Sequence, residues 1–159
     1  MRNFDEWITT VPDAITADPL WQRKVYRLAL FLGALAEFDT TRLVTESRTV
    51  TLADQLFRAV GAVGAHIAAG HSRSVGQERA RCYEYALGAT REARHWYYLG
   101  VGVLSSKVVN HRVRLLAEIS RQLLRDLPGE QKSDLAAEEK GHYDVEEALS
   151  DTLKDAPLP

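Results

Sequence analysis

Apolar residues along this chain recur at steps of three and four positions, not two. Leu52, Leu56, Val60, Val63 and Ile67 fall on one face of a helix at that spacing, and Trp21, Val25, Leu28, Leu32 and Leu35 do the same earlier. Asp18-Pro19 predicts the start of the first helix, since proline at the first helical position loses no needed donor and aspartate can cap. It runs to about Phe38, and the polar stretch from Thr40 to Thr49 reads as a frayed end plus a loop. In the second helix Ala59, Gly61, Gly64, Ala65 and Ala68 flank the apolar stripe. A helical glycine costs about 1 kcal/mol relative to alanine, so these glycines predict close packing that offsets the loss. Periodicity lapses after Gly70. Ser74 with Gln77 three residues on is a capping-box signature and predicts the third helix, with Ala80, Tyr83, Leu87 and Thr90 inward and an end near Gly100. Ser105-Ser106 opens a fourth helix through Leu127, which Pro128-Gly129 stops. No strand-like alternation competes.

Four long helices with short connections predict an all-α fold, an antiparallel up-and-down four-helix bundle over residues 18–127. An N-terminal lead, 1–17, precedes it, with a short helical turn around Phe4 to Ile8. An acidic C-terminal tail, 128–159, follows. The tail carries Leu135, Val145, Leu149 and Leu153 among many charges, which fits either a short docked helix or a disordered segment.

Charge sharpens this division. The net charge of −2 over 159 residues hides a basic body, with 16 Lys+Arg against 10 Asp+Glu from Asp18 to Leu127, and an acidic tail, with 3 against 9 from Pro128 onward. Such asymmetry fits an anionic partner for the body, an internal competitor for it in the tail, or a solvated body with a solubilising tail. Cys82 is the single cysteine; it permits no intramolecular disulfide, fits a reducing compartment, and reads as a small buried hydrophobe. The opening Met-Arg-Asn-Phe-Asp-Glu-Trp lacks the apolar core of a secretion signal. The longest apolar run, Trp96 to Leu104, falls short of the roughly 18 residues a bilayer span needs. The expectation is a cytoplasmic protein with no membrane partner.

A helical bundle invites a di-iron site, which needs two Glu-x-x-His motifs and further glutamates on facing helices. Glu92 and His95 form one such motif on the third helix; the other, Glu139 and His142, lies in the acidic tail, while the fourth helix offers only Glu118 and the second none in its body. No metal and no cofactor are expected. His66 and His71 stand five positions apart, so a helix turns them away from each other; His71 reads as a helix-end residue and His66 as an interhelical hydrogen-bonding one. With no glycine-rich phosphate loop, nucleophile elbow or facing carboxylate pair, the chain reads as no enzyme.

The fourth helix carries the best functional surface. At about 100° per residue, Lys107, Arg114, Arg121 and Arg125 share a narrow arc opposite Val109, Leu116, Leu123 and Leu127. Such a stripe can neutralise phosphates, and repetition around an oligomer would multiply the contacts. Glu118 lies in the same arc within ion-pair reach of Arg114 and Arg121, which fits a solvated helix face equally. Arg58 and Arg73 flank the second helix as further candidates for nucleic-acid contact, or as partners for carboxylates such as Glu78. Trp96, Tyr97 and Tyr98 are consecutive, so they cannot all point inward. At least one ring belongs on the surface or at a subunit interface.

Several of these residues carry a resemblance. Gln55-Leu56-Phe57-Arg58-Ala59, His66-Ile67-Ala68-Ala69-Gly70, Arg73, Glu78 and Ala86-Leu87-Gly88-Ala89, with Trp21-Gln22 and Val25-Tyr26 before them, resemble a bacterial four-helix-bundle family. It includes proteins encoded in intervening sequences of 23S ribosomal RNA genes, and the accessory protein of diversity-generating retroelements is a related member. The likeness spans roughly residues 20–127, with His66 where the family pattern has asparagine and Ala69 where it has glutamate. It implies a ring-shaped homo-oligomer, often a pentamer, with a basic surface. For the retroelement branch it implies binding to a reverse transcriptase and to RNA or DNA. The expected function is therefore a non-enzymatic oligomeric adaptor for a nucleic acid or ribonucleoprotein, such as a reverse transcriptase accessory protein. A homo-oligomeric protein-interaction scaffold without nucleic-acid binding is the alternative.

Overall fold

The computed structural model describes residues 3–73, 76–127 and 145–159, with side chains throughout except at 145–148. The elements in chain order are α1 (Phe4–Ile8), α2 (Asp13–Thr16), a 3-10 turn (Pro19–Gln22), α3 (Lys24–Leu43), a second 3-10 turn (Ser47–Thr49), α4 (Val50–His71), α5 (Gln77–Leu99), α6 (Val101–Leu104), α7 (Ser106–Asp126) and α8 (Val145–Lys154). The fold is all-helical, with no strand among the described residues. It is bundle-like: α4 packs on α3 and α5, and α7 packs on α3 and α5 from the other side.

Hydrophobic period placed the core well. Val25, Leu28, Leu32 and Leu35 on α3, Leu56, Val60, Val63 and Ile67 on α4, Ala80, Tyr83, Leu87 and Thr90 on α5, and Val109, Leu116 and Leu123 on α7 are all buried, and only Leu52 is half-exposed. The hydroxyls of Thr90 and Ser120 meet at 2.8 Å and tie α5 to α7 inside that core. The N-terminal lead contributes too. Phe4 and Trp7 are buried, with ring centroids 5.3 and 5.4 Å from that of Phe31 on α3.

Helix boundaries differ from the sequence-based expectation at three places, each for a local reason. Asp18 caps as expected, accepting from the Leu20 amide at 2.7 Å, but the turn it opens is 3-10. Arg23 then adopts an extended backbone, and α3 proper begins at Lys24. The break lets Leu20 and Trp21 turn inward. At its other end α3 continues past Phe38 to Leu43, because the Thr40 and Thr41 hydroxyls donate back to the carbonyls of Ala36 (2.8 Å) and Glu37 (2.7 Å). Polar threonines thus satisfy themselves on the helix. The third boundary is the start of α5: Gly76, not Ser74, holds the N-cap position, at φ 139, a conformation that suits glycine alone. Ser74 lies outside the described residues.

The small-residue expectation divides. Gly70 is a true close approach, since a β-carbon there would come within 2.6 Å of the Tyr83 ring. Gly61 and Gly88 have nothing within 4 Å of a β-carbon and face outward. Cys82 is half-buried, not buried. His66 sets its ring 5.5 Å from that of Tyr85 on α5 and makes no hydrogen bond among the described residues, so its interhelical contact is apolar. His71 is the last residue of α4.

The least expected feature is a buried ionic cluster. Arg112 of α7 is fully buried beside a fully buried Asp39 of α3. The guanidinium grips the carboxylate with two bonds, Nε to Oδ2 at 2.8 Å and Nη2 to Oδ1 at 3.0 Å. The Tyr97 hydroxyl of α5 donates to the same Oδ2 at 2.9 Å. Burial, and next the Asp39 charge, push the Tyr97 phenol well above its ordinary range, so it remains a donor. The cluster also recruits the C-terminal segment, which docks against α7 and α1. Arg112 Nη2 donates to the Pro157 carbonyl at 2.8 Å, and Nη1 donates to His111 Nδ1 at 2.8 Å. Because a guanidinium can only donate, His111 Nδ1 is unprotonated, and its Nε2–H donates to the Thr152 carbonyl at 2.7 Å. Thr152 and Ala156 are buried by this docking. Residues 149–159 of the tail are therefore part of the folded body.

Two outcomes follow. Asp39→Asn, or Arg112→Met alone, strands an uncompensated buried group and should lower unfolding free energy by about 3–5 kcal/mol; Asp39→Leu combined with Arg112→Met should cost less than the sum of the singles in urea titrations. His111 is held neutral, its pKa lowered from 6.5 to about 4 by burial and then by Arg112. Between those values the unfolded chain binds the proton that the folded chain refuses. This contribution to stability is therefore complete above pH 6.5 and is lost as pH falls towards 4, with a slope of up to about 1.4 kcal/mol per pH unit. Denaturation at stepped pH should show that slope in the native chain and its loss in His111→Gln.

Candidate nucleic-acid interface

Lys107, Arg114, Arg121 and Arg125 lie along one side of α7, with Val109, Leu116 and Leu123 buried behind them. Each is differently engaged. Arg121 is half-buried and forks onto Glu118, with Nε to Oε2 at 2.8 Å and Nη2 to Oε1 at 2.6 Å. Gln122 donates to Glu118 at 2.6 Å as well. The Glu118 side chain is only 2% exposed, so one member of the arc has become a buried anchor for its neighbours. Lys107 meets Asp155 of the C-terminal segment at 3.5 Å, with both side chains about 70% exposed. A pair so solvated contributes little to stability. Arg114 and Arg125 are exposed and make no ion pair among the described residues.

The stripe is also not an isolated outer face. The tail segment that buries His111 runs beside it and brings Asp151 and Asp155 to the same side of the molecule. Among the described residues, the acid-against-base complementarity visible in the charge distribution is thus realised at Lys107 and Asp155.

Arg58 and Arg73 are not brought to this surface. Arg58 sits on α4, across the bundle from α7, and pairs with Asp54 one turn earlier at 3.0 Å, not with Glu78. Arg73 follows α4; its side chain is exposed and its carbonyl accepts from Arg79 at 2.7 Å. Two cations that sequence reasoning passed over do join the stripe. Arg23 and Lys24, at the start of α3, line a cleft of about 570 Å³ together with Arg121 and Arg125. Arg23 pairs with Asp126 at the end of α7.

The three consecutive aromatics separate by environment. Tyr97 is buried and belongs to the ionic cluster, which removes it as an interface residue. Trp96 is half-buried, its indole N–H 3.3 Å from Glu92, and packs edge-on against His95. Tyr98 is 71% exposed, beside exposed Leu99 and Val101. The exposed positions of α4 and α5 add Phe57, Gly61, Tyr85 and Gly88, interspersed with charged residues such as Asp54, Arg58, Arg81 and Glu92.

Among the described residues no group of three or more His, Cys, Asp or Glu side chains could hold a metal ion, and Glu139 and His142 lie outside them. No described helix is long and apolar enough to cross a membrane. No curated protein and no solved structure matches the chain. The model of one family does, over residues 23–125, from the start of α3 to the last turn of α7. The chain accordingly belongs to the 23S rRNA-intervening sequence protein family.

Proposed function

We propose that this protein is a non-enzymatic, self-assembling adaptor, an antiparallel four-helix bundle whose α7 side contacts nucleic acid or a ribonucleoprotein. One observation carries the reading: Arg114 and Arg125 stand exposed on one helix side without a carboxylate partner among the described residues, on a chain whose body is basic. Unpaired guanidiniums along a rigid element suit phosphate contacts, which need charge and spacing more than base recognition. The family's name links it to ribosomal RNA genes, and its likeness to retroelement accessory proteins makes a reverse transcriptase complex the partner of choice. No step of this role needs a cofactor or a catalytic group.

A second reading, a homo-oligomeric scaffold without nucleic acid, draws on the outer face of α4 and α5. Phe57 is 54% exposed there, and Gly61 and Gly88 keep open space above them. Helical glycines without a packing partner inside the protomer are explained by one outside it.

One measurement separates these readings, and a second tests the self-assembly that both require. Binding to a structured RNA should fall linearly in log–log against salt, and Arg114→Gln with Arg125→Gln should reduce that slope by about two per protomer while leaving the melting curve unchanged. An unchanged slope removes the α7 stripe. Light scattering should give a mass that is a multiple of the 17.8 kDa protomer, fivefold for the expected pentamer. Phe57→Glu with Tyr98→Glu should return it to one protomer; a native monomer would sink both the ring and the scaffold.

A further inference from the structure

The cleft between the start of α3, the end of α7 and α8 has a chemistry distinct from that of the open stripe. Four of the described residues lining it are cations, Arg23, Lys24, Arg121 and Arg125, against two carboxylates, Glu118 and Asp126. Both carboxylates are occupied, Glu118 by Arg121 and Asp126 by Arg23. These pairs hold two guanidiniums in place and leave Lys24 and Arg125 with no ion pair among the described residues. Among the described residues two positive charges therefore remain in this cleft, whose lining also includes the apolar Val25, Leu149 and Leu153. Gln122 and Ser150 add neutral hydrogen-bonding groups.

We propose that this cleft binds a phosphate monoester. Charge decides between candidate anions. A phosphodiester inside a nucleic-acid strand or a single carboxylate carries one negative charge and would leave one cation unmatched. A terminal or free phosphate group carries close to two at neutral pH and matches the surplus. Guanidiniums fixed by neighbouring carboxylates are pre-ordered for forked bonds to its oxygens, with a mobile lysine supplying the remaining charge. The apolar residues of the lining seat the face of the organic group that carries the phosphate. The same chemistry is offered by the 5′ end of a nucleic acid or by a small phosphorylated molecule. This deepens the nucleic-acid reading, on which the oligonucleotide arm of the test rests.

The test uses the full chain and two short single-stranded oligonucleotides of one sequence, labelled at the 3′ end, with a 5′-phosphate or a 5′-hydroxyl. Inorganic phosphate serves as a third probe, followed by amide chemical shifts. The 5′-phosphorylated strand should bind about tenfold more tightly, and inorganic phosphate should shift Lys24 and Gln122 saturably. Lys24→Gln should erase the preference, weakening the 5′-phosphorylated strand far more than the 5′-hydroxyl strand, without altering the melting temperature, since Lys24 is exposed; Lys24→Arg should restore it. Equal affinity for the two strands with no response to inorganic phosphate overturns the cleft and leaves the stripe standing. A preference that survives Lys24→Gln overturns its location. Saturable phosphate binding with no affinity for either strand supports the cleft as a small-molecule site and defeats the nucleic-acid reading.

Discussion

Arg112 is a permanent cation with no access to water. A buried guanidinium without its full set of acceptors costs several kcal/mol, so the surrounding elements are constrained to arrive where its N–H groups point. Asp39 brings α3, with the Tyr97 hydroxyl of α5 donating to the same carboxylate, and the carbonyl of Pro157 brings the chain back from beyond α8. Apolar attraction is non-directional and by itself fixes the position of one helix along another only loosely. Three directional bonds to other elements, at 2.8 to 3.0 Å, fix it more tightly. The cluster thus sets the register of the bundle, while the leucine-rich faces supply most of the driving force.

The apolar faces were legible from the sequence because period 3.6 survives any tertiary detail. Asp39 and Arg112 were not legible: a charged residue inside a helical pattern reads as solvent-facing unless its partner is known, and theirs lies 73 positions away. A different, local ambiguity hid the start of α5, where a glycine at positive φ does what a serine motif promised, and the extension of α3, where threonines return their hydroxyls to carbonyls one turn back. In the candidate site the arc of α7 followed from rotation angle alone, and so did the Glu118–Arg121 pair three residues apart. Lys107 with Asp155, and Arg23 with Asp126, join residues 48 and 103 apart; only folding places the start of α3 beside the end of α7.

The two surfaces with unexplained chemistry lie on different sides of the molecule. The basic side belongs to α7, and the glycine-bearing face belongs chiefly to α4, which packs on α3 and α5 and stands across the bundle from α7. Association through α4 would leave α7 open, so the proposed self-assembly and anion binding would not compete for the same side chains. The C-terminal segment shares the α7 side and places Asp155 at its rim. The proposed polyanion would therefore meet a surface already adjusted by the protein's own carboxylates, and would have to outcompete a weak, solvated pair.

The return of the chain to Arg112 has a consequence for biosynthesis. The Pro157 carbonyl stands 45 residues beyond the cation it satisfies. Translation makes α3, α5 and α7 before that acceptor, so the last partner of the guanidinium is also the last part of the cluster to be made. The bond to Pro157 can form only after that residue has left the ribosome, so the final packing around Arg112 awaits it.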